Sequence, residues 1–284
     1  MLVQAYGNIN QYCQAGFSGK RRQPGSTSPK VITMKTNKVT KHMKKPCKRG
    51  KRKSVKGVEK DLIFGGLNPD GAMSKITTIR KFIRESGVSV WMMQETKLSQ
   101  PGKLKFDGFV TYEHLRCEKE GGGIALSALK ELRPALVRDG GDKIEALTVN
   151  IHLKQITISC STGYGPQENA SIEKKNSFWQ YMEEECERAR TEGNGFLLQG
   201  DLNAWLGPDV LPGDTKQQNQ NGKQLVKFVE SNKLVIVNCL PICQGTTTWS
   251  RMRKETKLTS TFDFFIVCER VFPFVQEMVI DTKN

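Results

Sequence analysis

Four times along this chain a carboxylate stands at the end of, or inside, a short apolar run, and that pattern constrains the fold more than any other feature. Val88–Gln94 closes on Glu95, Phe196–Gln199 leads into Asp201, Phe262–Val267 encloses Asp263, and the opening run of 61–68 is followed by Asp70. Runs this short and this continuously apolar fit strands buried on both faces, which need a layer packed on each side. Solubility alone does not explain a charged residue leaving such a strand four separate times. In layered α/β folds the ends of buried strands are where sites are built.

The other segments fit the same reading. Ser74 is a plausible N-cap for a helix through Glu85, with Ile76, Ile79, Phe82 and Ile83 on one face. Ser171–Thr191 reads as a long helix with Ile172, Phe178, Trp179, Met182, Cys186 and Ala189 as its apolar face, and Gly222–Asn232 as a shorter one. Strands are expected within Leu104–Leu153, over Gln155–Thr162, Gly195–Gly200 and Leu234–Asn238, and again over Thr246–Arg251 and Thr261–Val267. Many strands with few helices predict stacked sheets covered by helices.

Charge divides the chain. Of the 44 Lys+Arg and 29 Asp+Glu, residues 1–60 hold 16 and one, so 61–284 carry equal numbers, 28 of each. The net charge of +15 therefore belongs wholly to the N-terminal segment. A block such as Lys41–Lys53 repels itself and buries little, so residues 1–60 are predicted to be a disordered basic segment and 61–284 the folded domain. The basic segment suits RNA or DNA contact, or nuclear import. Any affinity of the domain for DNA must come from local placement of charge. The eight cysteines form no CxxC pair, which argues against a zinc site or a disulfide scaffold and for reduced core thiols. No apolar stretch of about 18 residues occurs, and the N-terminus lacks a secretory signal pattern, so neither membrane insertion nor secretion is expected.

The polar residues at the strand ends are Asn68 and Asp70, Gln94–Lys97, Tyr164, Asp201 with Asn203, and Asp263. Carboxylate oxygens in this number suit Mg²⁺, which keeps several waters and leaves room for a substrate phosphate. Such an ion polarises a phosphoryl oxygen and stabilises a leaving alkoxide. An Asn amide and a Tyr hydroxyl are suitable neutral donors to the non-bridging oxygens. Each signal alone has a plainer reading: a solvated rim carboxylate for Glu95, a packing residue for Tyr164, a turn cap for Asp201. Their order, each after a strand, is the specific feature.

That order resembles the endonuclease/exonuclease/phosphatase superfamily, in its apurinic-endonuclease-like branch. The motifs are Asn68-Pro69-Asp70-Gly71, Gln94–Lys97, Gly121–Gly123, Tyr164-Gly165-Pro166, Gly200–Asn203 and Phe262-Asp263-Phe264, spanning about residues 61–284. Thr247–Arg251 and the ending Val271–Asp281 are similar to the endonuclease domains of LINE-type (non-LTR) retrotransposons. The resemblance implies a four-layer sandwich of two mixed β-sheets packed face to face and flanked by helices. It also implies a Mg²⁺-dependent endonuclease, with Mn²⁺ able to substitute, acting on double-stranded DNA in the nucleus, or in nucleus and cytoplasm, alongside a reverse transcriptase domain.

By the same resemblance Glu95 ligates the metal, with Asp70 as a nearby or alternative ligand, and Asn68 orients Glu95. Tyr164 and Asn203 hold the scissile phosphate, Asp201 positions or deprotonates the attacking water, and Asp263 orients a histidine. Trp249 and Arg251 are candidate DNA contacts; a core tryptophan beside a surface arginine is the other reading. The sequence departs from the pattern in one consequential respect. A terminal Ser-Asp-His block is not found before Asn284, and His42, His114 and His152 are all out of order. The expectation is a domain lacking its last strand or strands, with impaired catalysis, since a positioned general acid/base contributes roughly 10²–10⁴-fold. The competing readings are a non-catalytic nucleic-acid-binding remnant and a phosphatase of the same fold acting on another phosphoester.

Overall fold

Strand β3, Val90–Gln94, shows how the molecule is layered: every residue in it is buried, and successive side chains enter different cores. Val90 and Met92 face an opposing sheet, while Trp91 and Met93 face a helix. The computed structural model describes residues 31–36, 61–116, 121–211, 214–244, 251–252 and 259–281. Their strands, in chain order, are β1 (Val31–Thr36), β2 (Leu62–Leu67), β3, β4 (Phe109–His114), β5 (Ile124–Leu129), β6 (Ala135–Asp139), β7 (Ala146–His152) and β8 (Thr157–Tyr164). There follow β9 (Gly195–Asp201), β10 (Leu234–Ile236), β11 (Cys243–Gln244), β12 (Arg251–Met252), β13 (Thr259–Ser260), β14 (Asp263–Cys268) and β15 (Val275–Asp281). The helices are α1 (Ile76–Ser86), α2 (Ile172–Thr191) and α3 (Gln220–Ser231).

One sheet has seven strands in the order β11-β15-β1-β2-β3-β5-β4, and the other six in the order β10-β14-β9-β8-β7-β6; β12 and β13 form a separate ribbon. Both large sheets are mixed, with β2–β3 and β8–β9 parallel among mostly antiparallel neighbours. A core of Met34, Phe64, Met92 and Leu126 against Leu147, Val149, Cys160, Leu197 and Phe265 lies between the sheets. Helix α1 covers the outer face of the first sheet through Ile79 and Ile83, and α2 and α3 cover the second through Phe178, Met182, Leu225 and Phe228. This is the four-layer arrangement expected, two mixed sheets face to face with helices outside.

Between the sheets runs one polar belt. Gln94 donates from Nε2 to Thr162 Oγ1 and to Gln199 Oε1, both at 2.8 Å. Gly66 makes room for it, because a Cβ there would lie 2.2 Å from Gln199 Nε2. Cys160, Cys186 and Cys243 are buried free thiols, as expected; desolvation pushes all three up, Cys186 and Cys243 to about 12. No described helix is long and apolar enough to cross a membrane.

Three expectations need correction. The domain does not start at residue 61: β1, from the segment read as a basic tail, lies in the sheet between β2 and β15, antiparallel to both. Val31-Ile32-Thr33-Met34-Lys35-Thr36 is β-branched and alternating, and Met34 is fully buried, so the local pattern for a strand was there inside a basic stretch. Ile172 does not join the apolar face of its helix; it is 46% exposed on the first turn, with Ser171 as N-cap. Ser74 is not a cap either: its hydroxyl donates to Gly71 O at 3.1 Å, and the α-helix begins at Ile76 after a 3₁₀ turn.

Candidate active site

The motifs separated by tens of residues meet at one end of the two sheets. In the second sheet, Asp201 at the end of β9 stands opposite Tyr164 on β8 and opposite Asp263 on β14, so the three form one row across neighbouring strands. In the first sheet β2 and β3 run in parallel, with Leu67 beside Met93, which brings Asn68 and Glu95 out at the same edge. The Asn68 amide closes the gap between sheets, donating from Nδ2 to Glu95 Oε1 at 3.0 Å and to Asp201 Oδ2 at 3.1 Å. Two carboxylates from opposite sheets thus flank one amide.

Backbone strain is concentrated here. Among the described residues six non-glycine positions have positive φ, and four of them are Asp70 (48°), Glu95 (49°), Lys97 (51°) and Asn203 (47°). A left-handed non-glycine residue costs about 1–3 kcal/mol and persists where its surroundings over-determine it. The surroundings are explicit. Gly71 N and Ala72 N donate to Glu95 O and Thr96 O, both at 2.9 Å. From the other side Thr96 N and Lys97 N donate to Gly123 O and Gly122 O at 3.0 and 2.8 Å. Gly121, Gly122 and Gly123 all have φ between 74° and 94°, the physical reason for three consecutive glycines.

Tyr164 is nearly buried, and burial raises its phenol above the usual tyrosine value, with the charges of Asp201 and then Glu95 adding to the effect; hydrogen bonds with Gln167 and Asn203 oppose it. The hydroxyl is therefore a neutral group throughout the physiological range, near both carboxylates. Asn203 donates from Nδ2 to Gly165 O at 2.8 Å, and its N–H donates to Asp201 Oδ1 at 3.1 Å. Asp70 is placed differently. Its side chain is 70% exposed and paired with the Lys97 ammonium, which also lies 3.9 Å from Glu95 Oε2. That pairing raises the Lys97 pKa. Asp70 thus sits at the rim with a lysine between it and Glu95.

Trp249 lies outside the described residues, and of Arg251 only the backbone, in β12, is described. Neither described histidine stands beside Asp263. His114 Nδ1 is 2.6 Å from Asp139 Oδ1. His152 pairs with Thr157, at the opposite end of β8 from Tyr164.

Several residues of the site escaped the sequence reading. Glu145 ties the two halves together: it pairs with Arg116, accepts from Gly123 N at 2.9 Å, and its own carbonyl accepts from Tyr164 N at 2.8 Å. Asn219 and Asn221, at the start of α3, hold the turn that carries Asn203. For Asn219 a signal existed, since Asn ahead of a helical apolar pattern is an N-cap mark.

Among the described residues no three His, Cys, Asp or Glu side chains are clustered as a metal would require if the protein supplied all its ligands. The donor set present is the Glu95 and Asp201 carboxylates joined by the Asn68 amide. It fits a hard cation that takes one or two carboxylates and completes its shell with water and phosphate oxygens.

No family model matches the chain. It is 24% identical over 179 residues to craniofacial development protein 2 of Bos taurus, covering 61% of this chain and 29% of that one. The chain spans about a third of the length of the curated relatives it matches. Among solved structures it is similar to the AP endonuclease LMAP of Leishmania major, with TM-score 0.58 and 16% identity over 70% of this chain and 75% of that one. It is also similar to the 3′-5′ exonuclease NExo of Neisseria meningitidis, with TM-score 0.53 and 13% identity over 72% and 85%. These likenesses establish the fold alone, the one shared with those two nucleases.

Proposed function

We propose that this chain is a Mg²⁺-dependent phosphodiesterase domain that cuts DNA, derived from a LINE-type retrotransposon and working in the nucleus. The observation that carries the proposal is the Asn68 amide held between Glu95 and Asp201, at 3.0 and 3.1 Å, with Tyr164 and Asn203 alongside. Two structural neighbours, an AP endonuclease and a 3′-5′ exonuclease, act on nucleic acid by their descriptions, which supports a phosphodiester substrate. The Thr247–Arg251 motif supports the retrotransposon origin and duplex DNA as substrate, with a reverse transcriptase domain as the partner activity.

In this reading Glu95 would hold the metal, with Asp70, now paired to Lys97, as a nearby or alternative ligand. The metal, Mg²⁺ or Mn²⁺, supplies Lewis-acid polarisation of the phosphoryl oxygen. Asn68 keeps the Glu95 and Asp201 carboxylates oriented. The neutral Tyr164 hydroxyl and the Asn203 amide donate to the non-bridging oxygens, where negative charge grows in the transition state. Asp201, in the same row, accepts a proton from the attacking water. Of the described histidines, His114 pairs with Asp139 and His152 with Thr157, so neither is assigned a role in this reading.

The test is a time course on three substrates in Mg²⁺: plain duplex DNA, duplex with an abasic site, and an inositol polyphosphate. Nicking of DNA, absent with chelator and abolished by Glu95→Ala, is the expected result. Hydrolysis of the inositol phosphate alone would move the reading to a phosphatase. No metal-dependent turnover, together with steeply salt-dependent DNA binding lost on removing residues 1–30, would favour a binding remnant instead.

A further inference from the structure

The Asn219 carboxamide uses its full hydrogen-bonding capacity, and two of its four bonds hold the turn that carries Asn203. Oδ1 accepts from Gly222 N at 2.7 Å, capping α3, and from Trp205 N at 3.0 Å. Nδ2 donates to Asn203 O at 2.9 Å and to Glu168 Oε2 at 2.7 Å. Two donors and two acceptors exhaust an Asn side chain, and this one is only 7% exposed. Its neighbour Asn221, fully buried, donates to Pro166 O at 2.5 Å and reaches Asn203 O at 3.5 Å, while accepting from Trp179 Nε1 at 3.3 Å. The packing leaves no slack, because a Cβ on Gly222 would fall 1.9 Å from Trp205 O.

The geometry points to Asn219 as a positioning residue for Asn203, with Asn221 as its support. Asn203 is in a left-handed conformation, φ 47°, which asparagine adopts more readily than most non-glycine residues but which still has to be held in place. The peptide that follows it is fixed by the Asn219 amide on its carbonyl and by Asn219 Oδ1 on Trp205 N–H. Capping α3 needs only the acceptor, which Asp and Ser supply as well as Asn does. Fixing the carbonyl needs the donor, which Asp lacks. The residue type therefore separates the two duties, and only the second explains why the amide is also aimed at Asn203 O and Glu168.

This inference rests on the reading of Asn203 as a phosphate-holding group, and its test separates the two. The full chain and its Asn219→Asp and Asn219→Ser variants are compared by single-turnover cleavage of a plain duplex in Mg²⁺ and by amide hydrogen exchange. Asn219→Asp is expected to lower the cleavage rate roughly 10–10²-fold, as misplacement of a reacting group does, with half-saturation changed less than about threefold. Protection should be lost over 201–205 and kept over α3. Asn219→Ser, which retains the cap and one donor, should fall between, and it is read in the same way should the Asp variant not fold. Cleavage and exchange at the unaltered level, or loss of protection along the whole of α3, would overturn the inference and leave Asn219 a helix cap. Should the unaltered chain not cleave at all, the proposed activity fails, and exchange alone decides the positioning role by the same criteria.

Discussion

Strand β1 offers the sharpest stability prediction, because sequence and structure disagree about it. Met34 is fully buried in the core between the sheets, in register with Phe64 on β2 and Met278 on β15. β15 reaches the rest of its sheet through β1 on one side and touches only the two-residue β11 on the other. Met34→Ala removes a side chain from a packed site that backbone ladders on both flanks prevent from collapsing. Large-to-small changes of this kind cost about 2–5 kcal/mol. In a domain of this size each kcal/mol lowers the melting temperature by about 2–4 °C, so a mid-range loss of about 3 kcal/mol corresponds to about 6–12 °C. The control is Lys35→Ala on the other face of the strand, whose partner Asp61 lies 3.6 Å away in a half-exposed pair; such a pair contributes about 0–1 kcal/mol. Thermal and urea unfolding of the full chain, followed by circular dichroism, measure both. Equal melting temperatures for Met34→Ala and the unaltered chain would refute the docking of β1 and return residues 1–60 to the status of a tail.

Two further predictions concern the surroundings of the site. Asp214 is buried, accepts from Thr261 N at 3.1 Å, and burial pushes its carboxyl up to about 6 from 3.8. The folded chain then binds that proton more tightly than the unfolded one, so stability falls as pH rises from about 4 to about 6 and is level above. The roughly two-unit difference is worth about 3 kcal/mol. Asp214→Asn removes this loss, so its advantage in urea unfolding should grow between pH 4 and pH 6.5; parallel pH profiles would contradict the assignment. Tyr164→Phe keeps the buried ring and removes the neutral donor, so cleavage should slow roughly 10²-fold while the melting temperature changes little. A matching loss of stability would instead make the hydroxyl a structural group.

The layers, and the strand ends at which the candidate residues meet, were legible because burial left local marks. A run such as Val90–Gln94 has one physical solution, a strand covered on both faces, and Glu95, Asp201 and Asp263 stood out against such runs. What stayed hidden were contacts made by sequence-distant partners. Nothing near Asn219 announces that its amide will meet Asn203 O, and nothing near Glu145 announces Gly123 and Tyr164. β1 was lost for a different reason: six residues of strand pattern were outweighed by the like charge on the residues around them. Ile172 was misplaced because helical periodicity does not tell a first-turn residue, free to face solvent, from one further in.

All of the functional reading depends on Asn68, Glu95 and Asp201 acting as one unit at a phosphodiester. A double-mutant cycle on Asn68→Ala and Asp201→Asn, read as the single-turnover rate of duplex cleavage in Mg²⁺, measures that dependence. Each change alone should slow cleavage by about 10² or more, and the pair together should be little worse than the more damaging single change, since residues that act jointly are grossly non-additive. Fully multiplicative losses, or an Asp201→Asn variant that cleaves at the unaltered rate, would contradict the account.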